Sequence, residues 1–447
     1  MDSSSGPSGR LPRDRAERDG GMIGGIEADA VIDAPRLHAL MAAFQPHGGT
    51  PDGGMHRLTL SAEDGLARDH LAAWCKEQGL SLTVDCMGNM MALLEWAGPD
   101  APVVMTGSHL DSQPRGGRFD GAYGVLAACE AVEAVRKHVQ AAGKTPLCNL
   151  AIVNWTNEEG ARYQPSLLGS AVYTGQMTAE DALARRDGEG IAVRDALRAI
   201  GYDGAGEFPK PDAYLELHVE CASVLERHGE RFGVITRHWG AVKYRLAFIG
   251  KQTHTGPTPM ADRQDALLAA AHLISALGTY PGHASGTLHT SVGRLEVYPN
   301  SPNVVPGEAV LFIELRSADQ SVLDWAEAEM LAAADRAVAD MRVSKEIRFI
   351  DRRNVGFFDE NLIALATEVA EDLGLPTRHL DTIAAHDGIC MIPVCPSLVF
   401  NVPSVGGICH HPSEYTAPED IELGAEILAR MLLRLCEDGI GLVKGAA

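Results

Sequence analysis

His109 and Asp111 stand two residues apart in Gly107-Ser108-His109-Leu110-Asp111. On a strand, residues two apart point the same way, so the Asp111 carboxylate can reach the His109 imidazole and fix its tautomer. Asp120 follows in Gly116-Gly117-Arg118-Phe119-Asp120-Gly121. The glycines let the backbone come close to an ion, and a carboxylate has two oxygens with which to bridge a pair of them. Glu158 and Glu159 are adjacent in Asn157-Glu158-Glu159-Gly160. One of two adjacent carboxylates can ligate a metal while the other acts as general base on a metal-activated water. His218 lies in Glu216-Leu217-His218, and His410 in Gly407-Ile408-Cys409-His410-His411. Taken singly, a histidine at a strand end or a pair of glutamates is more often ordinary polar surface. Taken together, these are nitrogen and oxygen donors of the kind that zinc, manganese, cobalt or nickel accept.

The elements around these motifs explain how they would meet. Val103–Met105, Asn149–Trp155 and Tyr214–Val219 read as buried strands, and Gly124–His138 as a helix. Strand, helix, strand in this order implies a parallel or mixed sheet. Ligands of such sheets lie beyond the carboxyl ends of the strands, which is where the motifs fall. Further helices are expected at Asp33–Phe44, Ser61–Gly79, Glu360–Gly374 and Pro418–Cys436. Ser61 is placed to cap its helix, with Asp64 three residues on as a capping-box variant. Ser81–Asp85, Met90–Trp96 and Ser397–Asn401 read as strands.

A different rhythm runs from Gly240. Gly240–Gly250 alternates as a strand, Arg263–Leu277 is an amphipathic helix, and Leu288–Val297 and Ala309–Leu315 are strands. Val322–Met341 then reads as a helix and Ser344–Ile350 as a strand. That βαββαβ order is the order of a ferredoxin-like sandwich. The expected fold is therefore α/β: a mixed-sheet catalytic domain formed by 29–228 and 355–447, interrupted by a lid or dimerisation domain over 229–354. Residues 1–28 are polar and rich in Gly, Ser and charge, and read as a disordered tail, with Met22 as an alternative start.

Composition narrows the function. A net charge of −22 argues against a broad surface for nucleic acid or anionic membrane. No apolar run reaches the roughly 18 residues of a membrane span, and no signal peptide is legible. The nine cysteines include no CxxC pair, which fits reduced thiols in a cytoplasmic protein.

GSHLDSQPRGGRFDG, NWTNEEGARY, ELHVE, THTGPTPMADRQDA, PNSPNVVPGE and GGICHHPSEY together resemble the M20 metallopeptidase superfamily. Within it they are similar to the amidase/carbamoylase branch of N-carbamoyl-L-amino acid amidohydrolases, β-ureidopropionases and allantoate amidohydrolases. The likeness runs from about residue 30 to the C-terminus. It implies two divalent ions (zinc, or manganese, cobalt or nickel), with His109 and His218 on one, Glu159 and His410 on the other, and Asp120 between them. Glu158 would be the general base, acting on a metal-bridging hydroxide, and Asp111 would orient His109. His254, in Gln252-Thr253-His254-Thr255-Gly256, would stabilise the oxyanion, often from the partner subunit of a homodimer. Asn303, Arg316 and His386 would contact a small substrate bearing a carboxylate.

Three segments depart from the branch. Glu220-Cys221-Ala222-Ser223 stands where EQGP is usual, so Cys221 replaces a glutamine at the substrate. Thr382–Gly388 replaces SGAGHDA, and Cys409-His410-His411 replaces SHN. The implied activity is hydrolysis of a linear C–N bond in a less usual N-substituted amino acid or amide. A dipeptidase or N-acyl amino acid hydrolase of the same superfamily, and a non-catalytic binding protein, are the alternatives.

Overall fold

The computed structural model describes residues 31–284 and 286–444. The expected tail over 1–28 and the alternative start at Met22 lie outside these residues. In chain order the strands begin with β1 (Ser81–Val84), β2 (Met90–Leu94), β3 (Val103–His109), β4 (Asn149–Trp155) and β5 (Ala213–Val219). They continue with β6 (Gly233–His238), β7 (Gly240–Ile249), β8 (Thr253–His254), β9 (Leu288–Tyr298) and β10 (Val304–Val305). The last are β11 (Glu308–Ser317), β12 (Ser344–Arg353), β13 (Gly356–Phe357), β14 (Arg378–Thr382) and β15 (Ser397–Val402).

A nine-stranded mixed sheet runs in the order β1-β2-β4-β3-β5-β15-β6-β13, with β14 also paired to β6. β3 is parallel to β4 and β5, and β5 to β15. These four central strands are buried from end to end. Both faces are covered, so their sequences run apolar instead of alternating. The helices Ala122–Ala141 and Pro418–Asp438 pack together and onto this sheet. Gly124 permits the close approach: a Cβ there would lie 2.4 Å from the Leu217 main-chain oxygen. Met105, Trp155 and Tyr214 pack together in one buried cluster.

Ser61 caps the helix Ala62–Glu77, its hydroxyl accepting from the Asp64 N–H at 3.3 Å. The capping box is not closed as expected. The Asp64 carboxylate instead accepts from the Leu60 N–H at 2.7 Å and pairs with buried Arg68 at 2.9 Å.

A four-stranded antiparallel sheet, in the order β12-β7-β11-β9, follows in the chain. The helices Ala266–Leu277 and Gln320–Met341 cover one face of it, over a core that includes Tyr244, Leu246, Leu273, Leu311 and Met330. The other face carries the alternate residues of β7, among them Ala241 and Lys243.

The expected start of the interruption at 229 needs correction. β6 hydrogen-bonds with β14 and β15 in the large sheet, so the chain leaves that sheet only at Trp239. It returns through Asn354-Val355 to β13, which pairs with β6. Only Val234 and Ile235 of β6 are fully buried and apolar, which is too short a signal to register as a strand. No helix among the described residues is long and apolar enough to cross a membrane.

Candidate metal centre

The carboxyl ends of β3, β4, β5 and β15 open toward one place. His109 is the last residue of β3 and His218 the penultimate residue of β5. Glu158 and Glu159 follow β4, where Asn157 turns the chain with a φ of 60°. Its side-chain amide donates to the carbonyls of Tyr163 and Pro165 and holds that turn. His410 follows β15 and also has positive φ, 56°. Strained backbone at two such positions is a recurrent mark of functional sites.

Asp120 is the hub. Its Oδ1 lies 3.7 Å from His109 Nε2 and 3.2 Å from His218 Nε2. Its Oδ2 lies 3.2 Å from His410 Nε2, which is itself 3.1 Å from Glu159 Oε2. His109, Asp120 and His218 form one group with donor atoms within 4.8 Å of one another, and Asp120, Glu159 and His410 form another. Two three-donor sets of N and O atoms sharing one carboxylate suit divalent transition ions.

The imidazoles are aimed by the backbone. His109 Nδ1 donates to the Asp111 main-chain oxygen at 2.8 Å, and His218 Nδ1 to the Val219 oxygen at 2.9 Å. Each ring therefore turns Nε2 inward. Asp111 thus meets His109 through its main-chain oxygen, with its carboxylate farther off at 3.8 Å from the imidazole. Asp111 Oδ1 instead accepts from the Glu158 N–H at 3.3 Å, and Oδ2 is buried without a partner. Burial pushes Asp111 up to about 7.

Electrostatics mark the same spot. Burial pushes Glu158 well above the usual carboxylate range, with Asp387, Glu159 and Asp120 adding to it. Burial also acts against ionised Asp120, but hydrogen bonds from His218 and His410 outweigh it and hold Asp120 low. His410 is raised to about 11 by Asp120 and then Glu159. The same crowd of carboxylates that raises His410 would favour bound cations.

Three supporting residues were not assigned from sequence. Gln113 holds Glu159, its Nε2 donating to Oε2 at 2.9 Å and its N–H to Oε1 at 3.1 Å. Glu414 Oε1 accepts from the N–H groups of Phe119 and Asp120 and so fixes the loop carrying the hub. Cys409 Sγ donates to Asp120 Oδ2 at 2.9 Å. All three lie inside the motifs quoted above, but nothing in their spacing distinguishes them from ordinary loop residues.

An open cavity of about 750 Å³ lies over the cluster and is lined by Cys221, His386 and Arg316 among others. His386 stacks edge-on against His218 with ring centres 4.7 Å apart, and burial, then His218, keep it well below the ordinary imidazole range. His254 and Asn303 are elsewhere. Both are exposed, on or beside the β8–β10 ladder, and neither lines this cavity.

Gly121 sets the distance between hub and ring. It has φ 65°, and a Cβ on it would lie 2.2 Å from the His109 ring. Gly121→Ala is expected to weaken metal binding about 10–100-fold with the fold retained. Metal analysis after dialysis, beside circular dichroism, reads this, and unchanged affinity would contradict it.

A family model for peptidase family M20/M25/M40 matches residues 105–434. The chain belongs to that family. It is a hydrolase. An N-carbamoyl-L-amino-acid amidohydrolase of Rhizobium meliloti is 36% identical over 413 residues, covering 91% of this chain and 97% of that one. An allantoate amidohydrolase of Bacillus subtilis strain 168 is 31% identical over 394 residues, covering 87% and 94%. A solved hydantoinase/carbamoylase family amidase from Burkholderia vietnamiensis superposes with a TM-score of 0.83 at 34% identity, covering 91% and 98%.

Proposed function

We propose that this M20 hydrolase is a di-metal amidohydrolase that cleaves a linear amide or ureido C–N bond of a small N-substituted amino acid, such as an N-carbamoyl amino acid. The division of donors around Asp120 carries the reading, since each of its oxygens faces a separate set. His109 and His218 would hold one ion, Glu159 and His410 the other, with Asp120 shared. Bound divalent ions would supply Lewis acidity, polarising the scissile carbonyl and making a water acidic enough to ionise near neutral pH. Glu158 takes that proton and passes it to the leaving nitrogen. Arg316 grips the substrate carboxylate through its planar fork, and His386 closes one wall of the cavity.

His254 and Asn303 fit this scheme as groups lent by a second copy. We therefore infer a homodimer, with the four-stranded unit as a ferredoxin-like lid and dimerisation domain inserted between the two parts of the catalytic domain. Its outer strand β9 is an exposed eleven-residue edge, which is an open template for pairing with another sheet. The nine cysteines are all free thiols, in keeping with a cytoplasmic setting.

Cys221 favours a second reading. A thiol where the branch carries a glutamine removes an amide donor, which disfavours a carbamoyl group relative to an apolar acyl group. Assay of the metal-reconstituted protein against N-carbamoyl, N-acyl and N-formyl amino acids and small amides separates the two. Turnover of the acyl series alone would transfer the function to an N-acyl amino acid hydrolase. Failure on every compound by fully metal-loaded protein would refute both.

A further inference from the structure

Arg316, Ala241 and Arg353 form one row across the four-stranded sheet. Arg316 on β11 pairs with Ala241 on β7, and Arg353 on β12 pairs with the same Ala241. Directly paired residues point to the same side of a sheet. The helices cover the side of Val242 and Tyr244. Both arginines therefore rise on the other side, where they and Ala241 line the cavity over the candidate metal centre. Their backbones are two strand spacings apart, about 10 Å, with only a methyl group between.

The next row is Glu314, Lys243 and Asp351, which alternates in sign. Glu314 pairs with Arg316 at 2.8 Å and with Lys243 at 3.7 Å. Arg316 also donates to the main-chain oxygen of Ile383. Arg316 is thus held in place and partly neutralised.

Arg353 is not. Its guanidinium has no hydrogen bond or ion pair among the described residues, and its Nε is buried without a partner. Asp351, two residues earlier on the same strand, acts on it only through the longer-range field. Burial first, and then the neighbouring Arg316, disfavour its charge. A sheltered cation that is repelled by a second cation and has no acceptor in reach is a vacancy for an anion. Arginine's planar fork suits a carboxylate.

We propose that Arg353 binds a second carboxylate of the substrate, so that the favoured substrates are N-substituted acidic amino acids of the aspartate or glutamate kind. Arg316 takes the α-carboxylate and Arg353 the side-chain carboxylate. One carboxylate shared by both is disfavoured, because Ile383 and Glu314 hold Arg316 in its own half of the row. The proposal rests on the amidohydrolase reading for its reaction, but not for its binding step.

The test has two arms. In the first, kcat/KM is measured for N-carbamoyl-L-glutamate and N-carbamoyl-L-methionine in the wild type, Arg353→Gln and Arg353→Lys. The acidic-over-neutral preference is expected to fall about 10–100-fold in Arg353→Gln, mainly through KM, and to recover in part in Arg353→Lys. In the second, metal-loaded protein is titrated calorimetrically with L-glutamate and L-methionine, which needs no turnover. L-glutamate should bind more tightly, and Arg353→Gln should erase the difference. A preference unchanged by Arg353→Gln, or equal binding of the two amino acids by the wild type, overturns the proposal. Selective glutamate binding without hydrolysis of either carbamoyl compound would uphold Arg353 and count against the proposed reaction. Arg353→Lys serves as the readout if the glutamine variant does not fold.

Discussion

Glu158→Gln is expected to lower kcat by about 10²–10⁴-fold while the metal content stays the same. The amide keeps the shape of the carboxylate but cannot accept a proton. Glu158 Oε2 lies 3.5 Å from His109 Nε2, at the edge of the donor cluster, and the side chain is only 8% exposed. It can therefore face a water in the centre without being needed as a ligand. Its carboxyl is raised by burial and by Asp387, Glu159 and Asp120. The sign of the pH effect follows. A raised base stays protonated to higher pH, so kcat/KM should climb with pH as Glu158 ionises. Bound cations shift that limb to lower pH than the metal-free centre would show. The variant should lack this limb. Metal analysis and a pH profile decide the matter, and a Glu158→Gln enzyme with near wild-type kcat would remove Glu158 from the mechanism.

On the proposed di-metal scheme, Asp120→Ala should release both ions and leave no measurable turnover, as should exhaustive chelation of the wild type. Each Asp120 oxygen serves a different donor set, so one truncation breaks both. His410→Ala should spare the ion held by His109 and His218. Chelated wild type should recover on adding Zn, Mn, Co or Ni, whereas Asp120→Ala should not. In the metal-free centre burial lowers His218, but hydrogen bonding to Asp120 outweighs it and raises the ring well above its ordinary value. His410 reaches about 11 through Asp120 and Glu159. Both rings therefore carry protons at pH 7, and metal must displace them. Affinity should rise with pH, roughly tenfold per unit for each proton released. Calorimetry in two buffers of different ionisation enthalpy counts those protons. An Asp120→Ala protein that keeps one ion at wild-type affinity would contradict the sharing.

The convergence of His109, Asp120, Glu159, His218 and His410 was legible because their motifs fall at or after the carboxyl ends of buried strands: His109 and His218 in the last residues of β3 and β5, Glu159 after β4, and Asp120 and His410 in the loops that follow β3 and β15. Such strands must lie side by side when both faces are buried. What supports them was less legible. The acceptor of His109 is a carbonyl, and carbonyls leave no mark in a sequence. Gln113 and Glu414 act through loop geometry that no periodicity encodes. β6 escaped because two buried apolar residues are too few to register. Arg353 escaped for another reason: its neighbour Arg352 rises on the helix-covered side and pairs with Glu327 of the helix Gln320–Met341, while Arg353 rises on the cavity side, and which side each takes depends on strand register. His254 and Asn303 were singled out by resemblance, and a single chain leaves both away from the cavity.

The main-chain acceptors of His109 and His218 have a bearing on how such a centre ages. Every residue type offers the same carbonyl. Drift at positions 111 and 219 therefore cannot misalign either ring by deleting its anchor, and pocket walls such as Cys221 are free to diverge around a fixed pair of imidazoles. The vulnerability moves from side chains to the path of the strand. An inserted residue or a proline at the end of β3 or β5 would rotate a ring away from Asp120, while most point substitutions beside it would leave the ring where it is.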